Sequence, residues 1–224
     1  MFTEVEFDRW DRRDIFRFFQ PFANPCTAVT ASVHCTGLKQ IAKQRGESLF
    51  IYHLYCCLKA QNEIEPFRVR LFSDGRIVRF NSIGVSTMID SDGCGRLVEL
   101  CLPWITEFSE FYHFATSQIE KITAETNYHE YGWRDDNERM IGTVAINSLP
   151  QLSFTSIQTA DGLNVLPYCP LITLGKVSIS GDKETMPIAI TSHHGLVDGS
   201  HITAFFHQLE RNISLLTDQL NDKE

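Results

Sequence analysis

Two adjacent histidines close an apolar stretch in TSHHGLVDGS, residues 191–200, and an aspartate follows the second by four residues. Histidine can take and return a proton near neutral pH, because its ordinary pKa of about 6.5 leaves much of the imidazole neutral there. If MPIAITSHH forms a strand, His193 and His194 point to opposite faces, so one works and its neighbour packs or hydrogen-bonds. Gly195 and Gly199 bracket Leu-Val-Asp, which permits a tight loop lying close to other backbone. Asp198 falls at the start of the next helical pattern, where the macrodipole favours negative charge. The loop is open to three uses: a metal site of His193, His194 and Asp198, a purely structural turn, or a general-base histidine acting on a hydroxyl or thiol. The opposed side-chain directions and the lack of another His-rich or Cys-rich cluster weigh against the metal.

Holding such a loop requires a strand before it and a helix after it. From Ser200, the expected N-cap, Ile202, Phe205, Phe206, Leu209, Ile213, Leu216 and Leu220 recur at helical spacing. Strand-like runs precede it in TVAIN, LSFTSI, PLITLGKVSIS and MPIAITSHH, with a turn at GDKE. Earlier in the chain, RRDIFRFF has the spacing of a short amphipathic helix and CTAVTASVHC the composition of a strand. LKQIAKQRG and SLFIYHLYCCLKAQNEI read as helices, the second apolar around most of its circumference and therefore buried. FRVRLF and RIVRF flank Ser73-Asp74-Gly75, a hairpin signal because Asp-Gly supplies the positive φ angles of a tight turn. GVSTMID then reads as a strand, TEFSEFYHFATSQIEKITAET as a helix with Phe108, Phe111, Phe114 or Ala115, and Ile119 along one side, and NYHEYGWRDDNER as a polar loop.

Composition narrows the classes of function. The 224 residues are 43% hydrophobic and 11% aromatic, which suits a folded globular chain. A net charge of −8 argues against nucleic acid or an anionic membrane as the main partner. The seven cysteines are odd in number and show no C-x-x-C spacing, so reduced structural thiols are expected rather than a disulfide scaffold or metal finger. No basic, apolar leader opens the chain, and no apolar run approaches the roughly 20 residues of a membrane span; a cytoplasmic protein is expected.

HHGLVDG resembles the H-H-x-x-x-D-G signature of the chloramphenicol acetyltransferase family and of the related dihydrolipoyl acyltransferase catalytic domains. The likeness to the first extends over nearly the whole chain: FDRWDRRDIFRFF resembles that family's opening, and PFRVRLFSDGRIV, LPQLSFTSI, PLITLGKV and GDKETMPIAITSHHGLVDGSH follow in its order. The resemblance implies a single α/β domain over residues 1–224, an α+β two-layer sandwich with a mixed sheet packed by helices. It further implies a homotrimer with active sites at subunit interfaces, accepting acetyl-CoA from one side and an alcohol from the other, with chloramphenicol the first acceptor. His194 takes the general-base role by this resemblance. Asp198 pairs with Arg12 to hold the loop, Arg13 being the competing partner. Thr173 corresponds to a threonine that stabilises the transition state through a water, Lys176 to a lysine near the CoA site, and Phe18, Phe19 and Cys26 to residues near the acceptor.

Two positions depart from the family pattern. Where a serine hydroxyl is usual for donating to the oxyanion, alignment on Pro150 places Asn147, with Ser148 one residue later; either can donate. Ala28 stands where an aromatic is usual, which lowers acceptor affinity or enlarges the pocket. The alternatives are a dihydrolipoyl-type acyltransferase with a thiol acceptor, disfavoured because no lipoyl-type domain precedes this region, and a catalytically weak trimeric small-molecule-binding protein.

Overall fold

The computed structural model describes residues 1–72, 74–91, 93, 95–124, 142–158 and 170–222. The chain begins with β1 (Phe2–Glu4), a 3-10 turn at Phe7–Arg9 and helix α1 (Arg13–Phe19). Strand β2 (Cys26–His34) leads to α2 (Leu38–Arg45) and α3 (Leu49–Asn62). In α3 the residues from Ile51 to Leu58 are all buried, as its unbroken apolar circumference requires.

Strands β3 (Val69–Leu71) and β4 (Ile77–Phe80) form the hairpin signalled by Asp74-Gly75, Gly75 adopting φ +87°. Ser73 lies outside the described residues, and Phe67 and Arg68 belong to a 3-10 turn rather than to the strand. β1 joins β4 on its other edge, making a small antiparallel sheet, β1-β4-β3.

The larger sheet contains β5 (Gly84–Asp90) and β6 (Leu97–Leu102), then, after α4 (Phe108–Ala124), β7 (Thr143–Ser148), β8 (Leu171–Leu174), β9 (Ser178–Ser180) and β10 (Lys183–His193). Its order is β2-β10-β8-β7-β5-β6, with β9 paired to β10. β5, β7 and β8 run parallel while the other pairs are antiparallel, so the sheet is mixed. The chain finishes with helix α5 (Gly199–Asn221), and α3, α4 and α5 pack against this sheet. The polar segment NYHEYGWRDDNER lies outside the described residues.

LSFTSI is not a strand. After β7 the chain turns at Leu149–Gln151 and folds back over the end of β8, where the Lys176 N–H donates to the Leu152 carbonyl at 2.9 Å. Gly175 makes that crossing possible, because a Cβ there would meet the Phe154 ring at 3.0 Å and the Leu152 carbonyl at 3.1 Å. The expected N-cap also shifts: Asp198, not Ser200, caps α5, because its carboxylate accepts from the Ser200 and His201 N–H groups.

Cys35, Cys56 and Cys57 are buried, and burial raises their thiol pKa values, to about 12 for Cys35 and Cys56. They are protonated apolar fillers, not thiolates poised for chemistry. Among the described residues no helix is long and apolar enough to cross a membrane.

Candidate active site

β10 is held on one side by β8 and on the other by β2, with His193 opposite Cys26. The next N–H, that of His194, donates to the Pro25 carbonyl at 2.8 Å, and there the ladder stops. The Leu196 and Val197 N–H groups both turn back to the His193 carbonyl at 2.9 Å, and both side chains are buried, which anchors the turn. Gly195 is the only residue type that fits here: a Cβ would meet His193 Cε1 at 2.9 Å and Phe16 Cα at 3.1 Å.

The two imidazoles diverge as strand geometry predicts. His193 is buried and stacked on Phe16 at 5.6 Å between ring centres, and its Nδ1 accepts from the Gly195 N–H at 3.0 Å. That acceptor role places its proton on Nε2. Burial lowers its pKa to about 4, so it is neutral at cellular pH. His194 is half-buried and stacked on Phe19 at 4.3 Å, with its Nδ1 buried and without a hydrogen-bond partner among the described residues.

Helix α1 approaches this loop from far away in sequence. Arg12, immediately before the helix, donates through Nη1 to Asp198 Oδ2 at 2.7 Å, through Nη2 to the His194 carbonyl at 3.2 Å, and through Nε to the Gly195 carbonyl at 3.2 Å. One planar guanidinium thus spans the turn from His194 to Asp198. Arg13 instead pairs with its neighbour Asp14 at the surface. Burial opposes ionisation of Asp198, but the Ser200 hydroxyl and Arg12 outweigh it and hold the carboxyl well below the usual carboxylate range.

The remaining sequence candidates fall into two groups. Phe18 and Phe19 lie at the end of α1 and form a three-ring cluster with Phe22, centroids 5.0–5.4 Å apart. Phe18 is 63% exposed and Phe22 45%, large apolar surfaces packed on Phe19, whose ring stacks on His194. Sequence reasoning missed Phe22 because Pro21 broke the helical pattern, although its spacing of three from Phe19 was a usable signal. Cys26 is half-buried at the start of β2, and the exposed Ala28 is opposite Thr191. Asn147, Ser148, Thr173 and Lys176 lie elsewhere. Asn147 and Thr173 are register partners, and Thr173 in turn pairs with Ala189 of β10. Ala189 to His193 is four residues along one strand, about 13 Å. Within one chain, therefore, the histidine loop and the Asn147–Thr173 pair occupy different parts of the sheet. Asn147 is exposed, Ser148 half-buried, Thr173 buried and Lys176 exposed. Among the described residues no group of three His, Cys, Asp or Glu side chains could hold a metal ion.

The buried histidines make stability depend on pH. His53, in α3, also has a pKa lowered to about 4 by burial. An unfolded histidine titrates near 6.5, so between about 6.5 and about 4 the unfolded chain binds more protons than the folded one. The stabilisation is complete above that window and is lost as pH falls through it. Urea midpoints measured from pH 7 downward should decline, and a His193→Asn variant should show a shallower decline, by about one proton taken up on unfolding.

A family model described as chloramphenicol acetyltransferase matches residues 1–210. A chloramphenicol acetyltransferase of Proteus mirabilis is 26% identical over 208 residues, covering 92% of each chain. A solved structure titled chloramphenicol acetyltransferase is 31% identical with a TM-score of 0.84, covering 95% of this chain and 100% of that one. A probable dihydrolipoamide acetyltransferase from Listeria monocytogenes, 15% identical with a TM-score of 0.61 over 92% of each chain, shares the fold alone. The family match and the shared mixed-sheet fold thus define an acyltransferase enzyme. The chain belongs to the chloramphenicol acetyltransferase family.

Proposed function

We propose that the protein is an O-acetyltransferase that moves the acetyl group of acetyl-CoA onto an acceptor hydroxyl, with chloramphenicol the acceptor to test first. The observation that carries this reading is the Arg12 clamp, which grips the His194 and Gly195 carbonyls and Asp198 together while the His194 ring lies on Phe19. His194 is the general base. Its Nδ1 is buried, so Nε2 is the nitrogen left to meet an acceptor. It takes the hydroxyl proton as that oxygen attacks the thioester carbonyl, and it returns a proton to the CoA thiolate when the tetrahedral intermediate collapses. Acetyl ester and free CoA result, with no acyl-enzyme.

Asn147 or Ser148 donates to the oxyanion, Thr173 orders a water beside it, and Lys176 lies near CoA. Phe18, Phe19 and Cys26 face the acceptor. Because His194 and Asn147 are far apart along the sheet of one chain, the working site combines His194 of one copy with Asn147 and Thr173 of another, in a cytoplasmic homotrimer of single-domain subunits. A second reading, a binding protein with little turnover, has one observation in its favour: Asn147 in place of a serine. Thiol release from acetyl-CoA, followed with and without chloramphenicol, decides between them. Acceptor-dependent release supports the transferase, and its absence alongside measurable chloramphenicol binding supports the binder.

The clamp should show strong coupling. The side chains of Arg12 and Asp198 are only 13% and 26% exposed, so removing one leaves the other partly buried and unpaired. Stranding one partner of a fully buried pair costs about 3–5 kcal/mol, and exposed pairs contribute about 0–1. A double-mutant cycle on Arg12→Ala and Asp198→Ala should give a coupling of about 1–3 kcal/mol in denaturant unfolding, between those limits. Additive effects would reduce Arg12 to a surface charge.

A further inference from the structure

Helix α5 begins with a capping box in which histidine occupies the position more often held by glutamate or glutamine. Asp198 Oδ1 accepts from the Ser200 N–H at 3.0 Å, the Ser200 hydroxyl at 2.6 Å and the His201 N–H at 3.4 Å. In return, the Asp198 N–H donates to His201 Nδ1 at 3.2 Å. That bond requires a bare Nδ1, hence a neutral ring protonated on Nε2. His201 is therefore tied to the main chain of the residue whose other carboxylate oxygen, Oδ2, receives Arg12. Arg12 in turn grips the carbonyl of His194. The links form one continuous path from the His201 ring through the Asp198 turn and the Arg12 guanidinium to the backbone of His194.

Without the tether from its N–H to His201, Asp198 keeps its carboxylate bonds and the hydrogen bond its carbonyl accepts from the Ile202 N–H at 3.0 Å, but the N–H side of its backbone has lost its bond. Rotation of its backbone then moves Oδ2, and Arg12 with it. A displacement of about 1 Å at a reacting group can lower a rate about a hundredfold, so a small drift transmitted to His194 is felt in turnover. Asp198 Oδ1 lies 3.1 Å from His201 Nδ1, so a protonated ring would draw on the carboxylate instead of accepting the backbone N–H.

We propose that neutral His201 is a positioning residue for acetyl transfer, holding the Asp198 turn and, through Asp198 and Arg12, the main chain of His194. The proposal rests on the reading of His194 as the general base. His201→Ala should lower kcat with chloramphenicol about five- to tenfold, the rate equivalent of losing one helix cap, while KM for acetyl-CoA stays within about twofold. His201→Gln, whose amide oxygen can accept the same N–H, should recover most of that kcat. The imidazole ¹⁵N shifts of the wild-type protein should show His201 with a bare Nδ1 at neutral pH, a readout independent of whether the alanine variant folds. A merely structural cap would lower the melting temperature of His201→Ala and leave kcat intact; that result, a His201→Gln variant as slow as the alanine, or a protonated Nδ1 would each overturn the proposal. Wild-type protein that turned over no acceptor would remove the His194 reading as well, whereas wild-type turnover with an unaffected alanine variant removes this proposal alone.

Discussion

Replacing His194 by alanine should lower acetyl transfer by about 10²–10⁴-fold, the range a positioned general base contributes. The fold should survive, because His194 is half-buried and its hydrogen bonds are backbone ones: its N–H donates to Pro25 and its carbonyl accepts from Arg12. His193→Ala should behave in the opposite way. The residue is 4% exposed and its ring stacks on Phe16 and accepts the Gly195 N–H, so truncation opens a void and leaves that donor without its acceptor. A loss of about 2–4 kcal/mol in unfolding free energy is expected, with turnover per folded molecule falling far less than for the His194 variant. Steady-state rates and denaturant curves on both variants separate these outcomes. Near-normal turnover by His194→Ala would reject the base.

Asn147→Ala should lower kcat by about 10²–10³-fold, the usual scale for losing one oxyanion donor, with a smaller change in KM for acetyl-CoA because the charge develops only in the transition state. Ser148→Ala should then be mild, and an exchange of the two phenotypes would pass the role to Ser148. The exposure of Asn147 and its distance from His194 along the sheet give a sharper test. Chains carrying His194→Ala and chains carrying Asn147→Ala, each strongly impaired alone, should recover activity when co-assembled, since some sites then combine an intact residue from each copy. If both residues served one site within a single chain, no mixture would recover.

The amphipathic pattern of α5, the apolar circumference of α3, the Asp-Gly turn and the strand ending in two histidines were all legible, because periodicity and turn chemistry are set within a few residues. The opposed directions of His193 and His194 were legible for the same reason. Errors came where local composition competed with a partner from elsewhere. LSFTSI has strand composition, yet the turn at Pro150 sends it across Gly175 rather than into the sheet. Ser200 and Asp198 are both good N-caps, and the choice fell to Asp198, where the same carboxylate also receives Arg12.

Motif likeness paired Arg12 with Asp198, but physics at the level of sequence could not tell Arg12 from Arg13; the packing of α1 against the end of β10, 186 residues apart in the chain at that ion pair, decided it. The exposed ring of Phe22 and the histidine tether on Asp198 likewise emerged only in three dimensions. The amino-acid order by itself determined helices such as α3 and α5, the hairpin of β3 and β4, and a histidine at a strand end, because hydrophobic period and turn residues act locally. Tertiary structure decided which side chains meet there, because those contacts depend on how distant elements pack, and packing is a property of the whole chain.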